Sequence, residues 1–167
     1  IEKFTEARER YPNDPRMVEV QFLLADCYRR NALAIEEQIG GSSTMSAAEI
    51  GRLTALRDEH LQLAQQLFAD VDGRTASAAR SSAFRDDLVR RSQLYGADCA
   101  FHLKQFEQAV TLYDQVARQY SAHHSSMYAL IQIVNCYSAI GDAERSSAAH
   151  HRALVRLKQL PEDAFDS

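Results

Sequence analysis

The sequence predicts an all-α protein built of antiparallel helical hairpins. Apolar residues recur at three- and four-residue spacing over long stretches, as in Ile50, Leu53, Leu56, Leu61, Ala64, Phe68 and Val71. Alternation at spacing two never persists, and no Asn-Gly hairpin signal occurs. Helix formers dominate the composition, with only six Gly and three Pro among 167 residues.

The elements follow in order. Residues 1–11 carry Phe4, Ala7 and Tyr11 on one stripe and read as the end of a helix. Pro12 and Pro15 interrupt it, with Asp14 as the cap and Pro15 in the first turn of the next helix. That helix carries Val18, Phe22, Ala25 and Tyr28 and runs to Ile39. GGSST at 40–44 breaks the pattern. Ser46 and Glu49 form a capping box before the next helix, which Gly73 is expected to stop. Further helices are expected over 77–103, 106–120, 125–140 and 142–160. Their mostly short connections imply antiparallel neighbours.

A two-helix unit recurs. Cys99 to Cys136 spans 37 residues, and so does Tyr113 to His150. Phe4 to Cys27 spans 23, as does Tyr113 to Cys136. Phe68 to Cys99 spans 31, so roughly eight residues are inserted near Asp72–Phe84. The chain reads as one domain over 1–167. Within it, 1–14 is the end of a preceding unit, 15–74 a first unit with a long hairpin, 78–121 a second, and 124–160 a third, capping unit.

The three cysteines lie in LADCY, GADCA and IVNCY, at positions 27, 99 and 136. Equivalent places on stacked helices lie about 8–10 Å apart. A disulfide needs about 5.5 Å between Cα atoms. The cysteines therefore read as small, semi-buried packing residues.

These stretches resemble the tetratricopeptide repeat. Its first helix is matched by Ile133-Val134-Asn135-Cys136-Tyr137, its turn by Gly141-Asp142, and its second helix by Ser146, His150 and Ala153. The middle unit offers Gly96 to Ala100, then Ala109, Tyr113 and Val116. The first offers Leu24 to Tyr28, with Ala64, Phe68 and Val71 displaced along its longer hairpin. The wording YPNDP…LLADCYRR is similar to long-period repeats of bacterial envelope proteins, the BamD-like assembly lipoproteins and the Tol-Pal coordinator family. The resemblance implies a right-handed α-solenoid of about three repeats, a noncatalytic scaffold that binds a peptide or protein in a concave groove.

Carried over residue by residue, the groove holds Asp26, Asp98 and Asn135, each just before its cysteine. Nearby on the same helices lie Glu19, Arg29, Arg30, Arg91, Tyr95, His102, Tyr128 and Gln132. The competing explanation is the solvated stripe of an amphipathic helix. The carboxylate clamp known in some family members is not expected. Phe22, Leu94 and Ile131 stand where its Lys would be.

Catalytic and metal signals are missing from the pattern. There is no His-x-x-x-His, Cys-x-x-Cys, phosphate-binding glycine loop or nucleophile elbow. His150 is expected to pack at the aromatic place of its helix. Asp86 and Asp87 are expected to pair with Arg90 and Arg91. No enzyme, cofactor or metal is anticipated. A net charge of −4 argues against a nucleic-acid partner. No apolar run reaches the about 18 residues of a membrane span, and no signal peptide is visible. The pattern opens in mid-helix at Ile1, so the chain reads as part of a longer protein. The envelope, periplasm and cytoplasm remain open as compartments. So do two other roles, a docking domain of a larger enzyme and a homo-oligomerisation module.

Overall fold

The computed structural model describes residues 1–11, 14, 16–76 and 83–160. Among them are seven helices and no strand: α1 (Glu2–Arg10), α2 (Met17–Gly41), α3 (Ala47–Ala76), α4 (Ala83–His102), α5 (Phe106–Gln119), α6 (His124–Ile140) and α7 (Ala143–Leu157). α1 packs on α2, α2 on α3, α5 on α6 and α6 on α7, so helices adjacent in sequence pack as hairpins. The chain forms two compact units, Ile1–Cys99 and Ala100–Ser167, and the division falls within α4. The expectations placed on Pro12, Pro15, Ser77 and the tail 161–167 lie outside the described residues.

In the first unit, α2 and α3 form the long hairpin. The capping box is present, with Ser46 Oγ accepting from the Glu49 backbone N–H at 3.2 Å. Asp14 Oδ1 accepts from the Arg16 N–H at 2.8 Å, and the α2 helix itself begins at Met17. Gly73 does not stop α3, which continues to Ala76. A helix-interior glycine costs only about 1 kcal/mol, and the surrounding turns absorb it. Phe22, Leu24, Ala25, Ala32 and Ile35 of α2 are buried with Leu61, Ala64, Leu67, Phe68 and Val71 of α3. Buried Gln21 donates to Asp70 Oδ2 at 3.1 Å and ties the two helices through a polar contact. Toward the tip the core thins: Leu33, Ile39 and Leu53 are half-buried and Ile50 is exposed. Two helices alone bury only one stripe of each.

In the second unit, α5 buries Ala109, Tyr113, Val116 and Ala117, and α6 buries Ala129, Leu130, Ile133 and Cys136. α6 is capped by His123, whose Nδ1 accepts from the Ser125 N–H at 3.0 Å. Gly141, at φ 84°, closes α6 in the left-handed conformation. Asp142 then caps α7, accepting from the Arg145 N–H at 2.8 Å. That backbone bond and the Arg145 guanidinium hold the Asp142 carboxyl below its usual range. His150 does not pack as expected. It is exposed, and Ala149 and Ala153 face the core instead. These small residues are the ones α7 buries where it packs on α6.

The α4–α5 connection carries a backbone cost. Lys104 has φ 60°, the left-handed conformation that glycine adopts freely. Its N–H donates to Phe101 O, and the Gln105 N–H to Ala100 O, both at 2.9 Å. Lys104→Gly keeps both bonds and relieves the Cβ clash. It should raise stability by about 1 kcal/mol in urea unfolding, and a lower urea midpoint would contradict this account of the turn.

Candidate functional site

The best-defined polar cluster lies in the first unit, on a ring triad drawn from three helices. Phe22 of α2, Phe68 of α3 and Tyr95 of α4 meet with centroids 5.8 to 6.2 Å apart. Phe22–Phe68 and Phe68–Tyr95 are edge-on, the arrangement ring quadrupoles prefer. Gly96, next to Tyr95, sits where a Cβ would lie 3.7 Å from Phe68 Cβ, so α4 comes close to α3 at this point.

Two guanidinium groups lie against these rings. Arg29 sits 4.2 Å from the Tyr95 centroid. Arg91 lies 5.0 Å from the Phe22 centroid and 5.7 Å from that of Tyr95. An arginine over a ring is attracted by the negative π face and needs little water there.

Asp26 organises the cations from below. It is only 6% exposed. Its Oδ1 accepts from Arg29 Nε at 3.0 Å and Nη2 at 2.7 Å, and its Oδ2 accepts from Arg30 Nε at 2.7 Å. A single buried carboxylate thus orients two guanidinium groups one residue apart. The side-chain exposures of 16% for Arg29 and 71% for Arg30 make Arg30 the outward member. Arg91 also pairs with Asp87 at 3.7 Å. Asp87 pairs with Arg90 as well, three residues further on.

Of the residues singled out from the sequence, Asp26, Arg29, Arg30, Arg91 and Tyr95 come together. Asp98 is half-buried beside Cys99, whose thiol feels its charge. Glu19 lines a separate cleft between α1 and α2 with Tyr11, Met17 and Leu23. The remaining four belong to the second unit. His102 lies edge-on to Phe101. On α6, Tyr128 is exposed and Gln132 Oε1 accepts from Asn135 Nδ2 at 3.1 Å. Tyr128, Gln132 and Asn135 share one helix face by their spacing. Sequence reasoning missed the part of Phe68, because its helical spacing marks burial and carries no sign of the cations above.

All three cysteines are free. Cys99 and Cys136 are fully buried, and Cys27 is half-buried. Burial pushes the Cys99 thiol up to about 12, with Asp98 adding to it. Burial likewise pushes Cys136 up to about 11. A water-soluble alkylating reagent should therefore label Cys27 first, with Cys99 and Cys136 reacting only on unfolding. Labelling of all three at one rate would contradict this burial. The raised thiols stabilise the fold fully below pH 9, where both states hold the proton. Above it the unfolded chain loses protons first, so stability falls as pH rises toward about 12.

Among the described residues, no group of three His, Cys, Asp or Glu side chains is placed to hold a metal ion. No described helix is long and apolar enough to cross a membrane. No known protein family, curated protein or solved structure matches the chain.

Proposed function

We propose that the chain is a noncatalytic protein-interaction scaffold of tetratricopeptide-like hairpins, and that the α2/α4 cluster is its contact surface. The observation that carries this is Asp26, buried and holding Arg29 and Arg30 while Tyr95 supports Arg29 from the side. The cations are oriented before any partner arrives, which lowers the ordering cost of binding. Arg30 and Arg91 offer guanidinium donors at the surface, and the half-buried Tyr95 ring offers flat apolar area beside them. A peptide or protein segment bearing carboxylates fits such a surface, since guanidinium donors match a carboxylate geometrically. Asp26 acts as a positioning residue and makes no contact itself. On the resemblance of its YPNDP and LLADCYRR stretches alone, we propose the bacterial envelope as the setting.

The test is capture by the wild-type chain beside an Arg30→Glu/Arg91→Glu variant shown by circular dichroism to be folded. Wild type should retain a partner that the variant loses, by at least about tenfold in affinity. A partner held equally by both would place the contact surface elsewhere.

A further inference from the structure

The second unit holds a trough on α5 and α7, helices that carry none of the groove residues expected from the sequence. α5 and α7 each pack on α6. They reach each other through long side chains, Arg145 to Glu107 at 3.0 Å and Arg152 to Asp114 at 2.5 Å. Beneath these ties lies a space of about 590 Å³. Ile133 and Tyr137 of α6 form its floor, Val110 one wall, and Ala148 and Ala149 the other. Well-packed interiors fill such gaps with larger side chains. Here two alanines leave it open, and its size is that of ligand pockets, roughly 300–1,000 Å³.

The two ends differ in charge. At one end, Arg145 is paired with both Asp142, at 2.6 Å, and Glu107, and it lies 4.7 Å from the Tyr137 centroid. One cation between two carboxylates leaves that end with an excess negative charge. At the other end, Arg152 and Arg118 share the single carboxylate of Asp114, Arg118 at 2.6 Å. Two cations on one anion leave an excess positive charge. Each guanidinium has five N–H donors and spends few of them on Asp114. Arg118 is 77% exposed, so this end is open to solvent.

We propose that the trough binds a short partner-protein segment with aliphatic side chains and one acidic side chain. The aliphatic part covers Ile133, Val110 and Ala149. The carboxylate seats on Arg118 and Arg152 beside Asp114. This site is independent of the α2/α4 surface.

The experiment uses the full chain, labelled for amide NMR. Three acetylated and amidated peptides share one aliphatic sequence and differ only in a single Glu, Gln or Lys. The Glu peptide should move the amide signals of Val110, Ala148 and Ala149. It should bind about tenfold tighter than the Gln peptide. Arg118→Gln and Arg152→Gln should each remove that preference, and the exposed Arg118→Gln should leave the thermal midpoint unchanged. Equal binding of Glu and Gln peptides would overturn the proposal, as would tighter binding of the Lys peptide to Asp114. Signal changes confined to α2 and α4, or none at all, would overturn it too. The first of those would still leave the α2/α4 surface standing.

Discussion

Phe68→Ala should cost the first unit about 3–5 kcal/mol, the usual penalty for emptying a buried aromatic site. Phe68 is 1% exposed and touches both other rings of the triad. A domain is stable by about 5–15 kcal/mol in total, so this one change removes a large share. The cost has two parts, lost burial and a cavity between three helices that cannot collapse freely. Phe68→Leu, which keeps most of the volume, should cost under about 1.5 kcal/mol. Urea unfolding of both variants gives the comparison. Near-equal midpoints for wild type and Phe68→Ala would mean that the triad is not the keystone of the unit. The same change withdraws one edge contact from Tyr95, on which Arg29 rests, so weaker partner binding should accompany it.

Asp26→Ala should destabilise the fold by about 2–4 kcal/mol, because it leaves the mostly buried Arg29 guanidinium without its carboxylate. Arg30 contributes little to this cost, since its exposed charge is re-solvated by water. The sharper expectation is the rescue. In Asp26→Ala/Arg29→Met, an apolar side chain replaces the stranded cation against Tyr95, and part of the loss should return. A double variant as unstable as the sum of its parts would show that the two side chains are not coupled. Asp26→Asn keeps the shape but loses the charge. It should weaken partner binding more than it weakens the fold, because the guanidinium groups lose their fixed orientation.

Much of the local structure was legible in the sequence. The Ser46/Glu49 box, the Gly141-Asp142 turn and the buried stripes through Phe68 and Tyr113 follow from rules that act within a few residues. The same rules misjudged Gly73 and His150. A glycine near a helix end reads as a stop, yet α3 runs past it. His150 occupies the repeat position of Tyr113, but α7 turns Ala149 to the core instead. A repeat period transfers residue positions from one copy to the next only where the helix rotation is also repeated.

The candidate sites divide in the same way. Arg29 and Arg30 stand three and four residues after Asp26, so their pairing lies within reach of helix spacing. Glu107 and Asp114 on α5, and Arg145 and Arg152 on α7, are each seven residues apart, which places each pair on one helix face. That spacing was the available signal for the trough, but it names no partner helix.

By itself, the sequence determined the all-helical character, the caps and turns, and which stripe of each helix is apolar. These depend on backbone geometry and on neighbours within one or two turns. Only the tertiary structure decided that Phe22, Phe68 and Tyr95 form one triad. It also decided that Asp26 is buried beneath its arginines, and that α5 and α7 meet through ion pairs over an open floor. An apolar stripe specifies that a face will be covered. Burial is non-directional, so it does not specify which side chain of which helix will cover it.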